Sequence, residues 1–332
     1  MSTSELHSVV VPMFREADGV EEFHRRITAA LSGLPGYEII YVEDHSPDET
    51  YSALRALVER DPHVRVLRLS RRYGHQLSLT AGMDFAVGDT VTVMDGDLQH
   101  PPEFVPRMIE EWRKGADVVF SIKQLSSVES QSKRLMSRLF YRVLRSLTDV
   151  DMPAHAQDFR LLSRRASDAM RSMREQHRYL RGMAGWIGFE RVLLTYEPEA
   201  RFAGTTKYST PRMIRLALDG IFSFSTRPLA IATWTGFILA VAGLAYALVL
   251  AVLWALGHTN VAGWTSLFVA LLIFSGIQLI TLGVLGEYVG RIYEEVRARP
   301  LYLVENAHGF EPERGRGPDA GMYADQGGVR SV

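Results

Sequence analysis

The sequence predicts an α/β fold: a doubly wound domain, followed by an interfacial helix and a two-helix transmembrane hairpin. Three observations carry this. The first 125 residues alternate short apolar runs with helical patterns, the signature of parallel βαβ units. Two uncharged apolar stretches, Leu229–Leu256 and Val261–Gly286, are joined only by Gly257-His258-Thr259-Asn260. Each exceeds the roughly 20 apolar residues that span a bilayer core of about 30 Å. Finally, the residues just past four successive strands are acidic, basic or hydrogen-bonding, whereas the strands themselves are apolar.

The elements follow in order. Ser8–Met13 (SVVVPM) reads as a buried strand, with a helix over roughly Gly19–Leu31. Glu38–Val42 is the second strand and Asp48–Arg60 the next helix, Asp48 being suited to its N-cap. Val64–Leu69 is the third strand, Gln76–Ala86 the third helix and Thr90–Met94 the fourth strand. Pro101-Pro102 opens a helix, since proline is tolerated in the first turn, and Asp117–Ile122 is the fifth strand. The expected domains are a catalytic domain over 1–208, an amphipathic interfacial helix over 209–227, two membrane helices over 228–286 and a tail over 287–332. The tail is Gly-, Pro- and charge-rich and is expected to be disordered from about residue 308.

Charge gives an orientation. Lys207, Arg212, Arg215 and Arg227 precede the first span, and Arg291, Arg297 and Arg299 follow the second, while the link has neither Lys nor Arg. The positive-inside rule then predicts a cytoplasmic catalytic domain and cytoplasmic termini. Met1–Ser8 shows no basic region leading into an apolar core, so export of the domain is not expected. A net charge of −1 over 332 residues argues against a nucleic-acid partner, and the absence of cysteine excludes disulfides and thiolate metal sites. A catalytic domain carried on a membrane hairpin points to a substrate that resides in the membrane.

In doubly wound sheets ligands bind beyond the carboxyl ends of the strands. Phe14-Arg15-Glu16 follow the first strand, Glu43-Asp44-His45-Ser46 the second, and Ser70-Arg71-Arg72-Tyr73-Gly74-His75 the third; Asp95-Gly96-Asp97-Leu98-Gln99-His100 follow the fourth. No GxGxxG follows the first strand, and no Walker-type loop is present, which disfavours dinucleotide and P-loop chemistry. Asp95 and Asp97, one residue apart with a flexible glycine between, can share one hard divalent cation. Mg²⁺ or Mn²⁺ suits, because these ions take one or two carboxylates plus substrate phosphate oxygens.

The runs VVVPMFREAD, YVEDHSPDET, RRYGHQLSLTAGMDFAVGDTVTVMDGDLQHPPE, QDFRLLSR, RFAGTTKYS and GEYVGRIYEEVRARPLY resemble one family throughout residues 8–304. This is the family 2 glycosyltransferases of GT-A, Rossmann-like fold, in the branch of polyprenyl-phosphate glycosyltransferases and dolichyl-phosphate mannose synthases. The resemblance implies inverting transfer of one sugar from a nucleotide-sugar to a polyprenyl phosphate of undecaprenyl type. UDP-glucose is the expected donor, with GDP-mannose or another UDP-sugar as alternatives. By motif, Pro12, Glu16 and Asp44 should line the nucleoside site, Asp95 should lie near ribose and diphosphate, and Asp97 should bind the metal. Gln99 should face the sugar phosphate. Asp158 and Arg160, in QDFRL, match the family's candidate catalytic position. The chain departs from the family with Phe14-Arg15 for Tyr-Asn and Glu43-Asp44-His45-Ser46 for Asp-Asp-Gly-Ser.

A lipid phosphate is mostly dianionic at neutral pH and hardly needs a base, so Asp158 reads as an orienter of the acceptor or of a cationic neighbour. Arg201 and Lys207, joined by Arg178, form the expected cationic half of the site, binding donor and acceptor phosphates. Thr210-Pro211 introduces the helix Arg212–Phe224, whose apolar and charged residues suit a membrane interface. The other expected partners are membrane lipids and further copies of the chain. A processive polysaccharide synthase would carry a QxxRW motif, which is absent. An inactive sugar-nucleotide-binding scaffold would not need the full set Asp95, Asp97, Asp158, Arg201 and Lys207.

Overall fold

The structure is a computed structural model that describes residues 5–124, 156–197, 225–256 and 263–310. Arg201, Lys207, most of the expected interfacial helix and the chain beyond 310 lie outside the described residues. Two compact units are present: one holds the sheet and the segment from Pro300 onward, the other the two long apolar helices.

The sheet unit is built from β1 (His7–Met13), α1 (Val20–Leu31), β2 (Tyr37–Glu43), α2 (Thr50–Arg60), β3 (Val64–Leu69), α3 (His75–Phe85), β4 (Thr90–Val93), α4 (Val105–Arg113) and β5 (Val118–Lys123). After the undescribed segment come β6 (Ala156–Ser163), α5 (Arg164–Ser172), α6 (Leu180–Trp186) and β7 (Arg191–Tyr196). With β8 (Val304–His308), the strands align in the order β7-β5-β6-β4-β1-β2-β3-β8. β1 pairs in parallel with β2 and β4, and β2 with β3. β6 runs antiparallel between β4 and β5, and β8 antiparallel along β3.

The first five strands lie within a residue or two of the ranges read from the sequence, because a strand buried on both faces must be apolar throughout. One face packs Val9, Val11, Ile39, Tyr41 and Val66 against Phe23 and Ile27 of α1, Leu54 and Leu57 of α2, and Phe104. α3 covers the sheet with almost no gap: a Cβ on Gly82 would lie 2.2 Å from Val10 Cγ1. The N-cap of α2 is Glu49 rather than the expected Asp48, whose Oδ1 accepts the Thr50 hydroxyl at 2.7 Å.

The parallel strands read from the sequence form the centre of a sheet that further strands make mixed. QDFRL lies on β6, inserted between β4 and β5, so Asp158 and Arg160 are strand residues beside the strand that leads to Asp95. The segment after the apolar helices also departs from the expected tail. Leu301 and Tyr302 are buried, and β8 (Val304–His308) completes the sheet edge. The Tyr302 hydroxyl donates to buried Asp84 Oδ2 at 2.8 Å.

In the second unit, α7 (Arg227–Ala255) and α8 (Trp264–Val296) are each long and apolar enough to cross a membrane, and their apolar windows are not buried inside the protein. So much exposed apolar surface is costly in water and marks a membrane-associated chain. α8 runs ten residues past Gly286, where apolar sequence stops, because helix pairs such as Glu287–Arg291 (2.9 Å) keep it wound.

Candidate active site

Four strands end at one rim of the sheet, and the backbone turns sharply at each. Arg15, His45 and Leu98, just past β1, β2 and β4, have φ of 57°, 52° and 62°, and Gly74, past β3, has 93°. Left-handed non-glycine residues cost about 1–2 kcal/mol each and persist where the surroundings hold them. The holding bonds are visible. Arg15 N–H donates to Ser46 Oγ at 3.0 Å, and Glu16 N–H to Thr50 Oγ1 at 3.1 Å. Gln99 N–H donates to Asp97 Oδ1 at 3.1 Å.

Chain order places this rim at a topological switch point. The chain passes from β1 to β2 to β3 on one side, then returns to place β4 on the other side of β1. Asp95-Gly96-Asp97 follows β4 at that crevice, where doubly wound sheets bind ligands. Gly96 packs tightly over the end of β1: a Cβ there would lie 2.5 Å from Met13 Sδ, so a larger residue would have to displace the Met13 side chain.

The nucleoside residues expected from the sequence take distinct places. Pro12 is the last residue but one of β1, opposite Val42, and Glu16 is half-buried beside α2. Asp44 is buried and its carboxylate is engaged by the chain itself: Oδ1 accepts Tyr73 N–H at 2.6 Å and Oδ2 accepts Gly74 N–H at 2.8 Å. Burial pushes its pKa up against those two bonds. Asp44 therefore shapes this corner by fixing the loop that opens α3. Arg72 lies 4.0 Å over the Phe14 ring and Arg71 4.1 Å over Tyr73, covering the same corner with stacked cations.

Asp95 is clasped by two histidines. His75 Nε2 lies 2.6 Å from Oδ1, and His100 Nδ1 is 3.7 Å from Oδ2 while accepting Asp95 N–H at 3.0 Å. Burial alone would raise the Asp95 pKa, but His100 and His75 outweigh it and hold it at about 2. Burial alone would lower His75, but Asp95 and then Asp158 lift it to about 9. Gln76 Nε2 lies 3.2 Å from His75 Nδ1, and Gln76 Oε1 accepts Leu180 N–H at 3.0 Å. A second proton on His75 thus requires the Gln76 amide to turn, which opposes the pull of the carboxylates. Tyr196 stands close by, its pKa raised by burial and by Asp95 and Asp97.

Asp158 bridges two guanidinium groups. Arg160 Nη2 donates to Oδ1 at 3.1 Å and Arg181 Nη2 to Oδ2 at 3.0 Å. Burial would raise the Asp158 pKa, but Arg181 and Arg160 overcome it and keep the carboxyl far below the usual range. A carboxylate held this firmly ionised is a poor proton acceptor. Arg160 is fully buried, and its Nε and Nη1 have no hydrogen-bond partner among the described residues.

Arg178 takes a different place from the expected one. Its guanidinium donates to the carbonyls of Met173 and of Met170, 3.1 Å away, near the C-terminus of α5. It is buried there, and burial lowers its pKa. Arg181, one turn further on, meets Asp158 instead. The sequence held a signal for it: Arg181 is the one charge in the otherwise apolar and small LRGMAGW of α6. His75 and Gln76 were hidden as ordinary residues at a helix start.

The carboxylates suit a hard divalent cation. Asp95 is held by two histidines, Asp97 is half-buried two residues further on, and half-buried Gln99 follows it at the rim. Among the described residues no three His, Asp or Glu side chains form a metal cage. A cation at Asp97 would take the rest of its shell from phosphate oxygens and water, the coordination Mg²⁺ and Mn²⁺ favour.

Known proteins agree with this arrangement. The description Glycosyl transferase family 2 matches residues 8–171. The uncharacterized glycosyltransferase YkcC of Bacillus subtilis is 38% identical over 98% of this chain and 99% of its own length. The uncharacterized glycosyltransferase sll0501 of Synechocystis is 39% identical over 92% and 96%. The SfII prophage-derived bactoprenol glucosyl transferase of Shigella flexneri is 35% identical over 92% and 99%. The mixed sheet, the Asp-Gly-Asp loop at its switch point and full-length likeness to these proteins converge: the chain belongs to glycosyl transferase family 2.

Proposed function

We propose that this protein transfers one sugar from a nucleotide-sugar to a polyprenyl phosphate at the cytoplasmic membrane face, with UDP-glucose as donor. The observation that carries the reading is the pairing of two features in one chain. An anion-handling site, with Asp97 for a cation and two arginines on Asp158, accompanies two helices fit for a membrane. Full-length similarity to proteins named bactoprenol glucosyl transferase supports both the lipid and the sugar. The Lys/Arg bias flanking the two helices supports the cytoplasmic orientation.

The chemistry follows from charge. A phosphate oxygen of the acceptor attacks the anomeric carbon as its bond to the nucleoside diphosphate breaks, inverting that centre. The bound cation would neutralise charge on the leaving diphosphate. Asp97 would hold the cation, His75 and His100 keep Asp95 ionised and oriented, and Asp158 holds the guanidinium groups of Arg160 and Arg181 in place. The acceptor dianion brings its own electron pair, so no protein base is needed.

Purified full-length protein in nanodiscs, given undecaprenyl phosphate and labelled UDP-glucose, UDP-N-acetylglucosamine or GDP-mannose, tests the reading. A labelled lipid formed fastest from UDP-glucose supports it. Preference for another donor overturns the sugar, and failure with every donor overturns the acceptor.

A further inference from the structure

We propose that Glu305, which the chain supplies after its two apolar helices, reads the nucleobase of the donor. The assignment deepens the proposed function and rests on it. Along the rim the strands stand in the order β4, β1, β2, β3, β8. With a cation at Asp97 facing the diphosphate, the nucleoside extends over β1 and β2, and its base arrives at the β2–β3 corner. That corner lies two strand spacings, about 10 Å, from the crevice between β4 and β1.

The two carboxylates that follow β2 in sequence face inward. Asp44 is buried, and both of its oxygens accept backbone N–H groups. The Glu43 side chain is 0% exposed, and its Oε1 accepts Ser46 N–H. β8 brings another carboxylate to the same corner. It runs antiparallel to β3, so its first residues lie beside Leu69, where β3 meets the rim. The Glu305 side chain is 42% exposed, with Oε2 3.3 Å from Arg68 Nε and 3.8 Å from His45 Nδ1. It therefore reaches back across β3 to the loop after β2. These contacts steer the carboxylate without saturating it. The one to His45 is beyond hydrogen-bond length, and Arg68 Nε has no hydrogen-bond partner among the described residues. Arg68 is itself held in place, 4.3 Å from the centre of the Tyr51 ring, and Tyr51 Oη meets His308 Nε2 of β8 at 2.9 Å.

A carboxylate beside a guanidinium has a definite preference among bases. Uracil presents an N3–H donor between two carbonyl oxygens. Glu305 offers the acceptor for N3–H, and Arg68 a donor for the neighbouring carbonyl. Cytosine has a bare ring nitrogen at that place, which would face the carboxylate lone pair to lone pair. The corner thus separates the two bases by repulsion as well as by attraction.

The test measures calorimetric binding of UDP, CDP and 3-methyl-UDP, each with Mn²⁺, to full-length wild type, Glu305→Gln and Glu305→Ala in nanodiscs. Wild type should bind UDP about tenfold or more tighter than either analogue, the worth of a hydrogen bond to a charged group. Glu305→Ala should bind UDP and 3-methyl-UDP within about twofold of each other. Glu305→Gln should weaken UDP and strengthen CDP, because its amide can turn an N–H toward the cytosine nitrogen. A role confined to tying Arg68 in place would lower all three nucleotides in parallel, and that result overturns the proposal. So does a wild type that binds UDP and 3-methyl-UDP equally. If Glu305→Ala fails to bind any nucleotide, Glu305→Gln decides: an unchanged ratio of UDP to CDP affinity, or no binding at all, overturns it. Wild-type protein that binds no UDP is a separate outcome, which removes UDP-glucose as donor and this assignment with it.

Discussion

His75 Nε2 and Asp95 Oδ1 stand 2.6 Å apart, which ties the start of α3 to the metal-binding loop. The pair gives the metal-free protein a defined pH response. His75 titrates near 6.5 when unfolded and at about 9 when folded. The folded state therefore binds more protons between those values. The stabilisation is complete below about pH 6.5 and is lost as pH rises through about 9. Thermal midpoints should fall over that window in wild type, and fall less in His75→Gln. Parallel pH profiles for the two proteins would rule out the ion pair as the cause.

Asp97→Asn should abolish metal-dependent UDP binding while leaving the fold intact, because the isosteric amide still offers an oxygen to the Gln99 N–H. Metal charge stabilisation is worth several kcal/mol, so turnover should drop about a hundredfold or more. Activity within threefold of wild type at saturating Mn²⁺ would remove Asp97 as the ligand.

Asp158→Asn should slow the reaction by loosening Arg160 and Arg181, without removing a titrating base. The Asp158 carboxyl is ionised throughout the working range, so the acidic limb of the rate profile belongs to the acceptor, near pH 6 for a phosphate. A phosphonate acceptor, with a higher pKa, should move that limb upward in wild type and mutant alike. A limb that stays put in wild type and vanishes in Asp158→Asn would restore the carboxylate as base.

The returning segment supplies a fourth test. A chain ending at residue 227 lacks Leu301, Tyr302 and β8, leaving the β3 edge open and Asp84 without the tyrosine hydroxyl. Each buried side chain of this size is worth roughly 1.5–3 kcal/mol, so the truncated domain should melt well below full-length protein. Joining residues 300–310 to it through a flexible linker should restore part of the loss. Equal midpoints for the two truncated forms would mean that β8 contributes nothing.

These features differ in how openly the sequence shows them. SVVVPM and TVTVM announce strands because both faces are covered, and the carboxyl ends then locate the site. β6 was hidden by Asp158 and Arg160, whose charges interrupt its apolar pattern since one side of that strand lines the site. β8, VENAH, is polar and alternates weakly, because it pairs along one edge of β3 and its side chains meet polar partners such as Tyr51 and Arg68. Asp95 and Asp97 stood out through their spacing together with their place after a buried strand, beside three other polar strand ends. The partners that set their behaviour, His75, Gln76 and Arg181, come from distant segments and are assembled only by the fold.

The edge strand also sets an order of assembly. β3 leaves the ribosome more than two hundred residues before β8, and both apolar helices lie between them. At roughly 5–20 residues per second the nascent sheet waits with one side uncovered while the hairpin is made. Closure of the enzyme therefore comes after synthesis of its membrane anchor. A ribosome that stalls before residue 300 releases a chain whose open β3 edge is a template for aggregation and a mark for proteolysis. Completion of the active domain thus reports, by covalent connection alone, that the anchor has already been made.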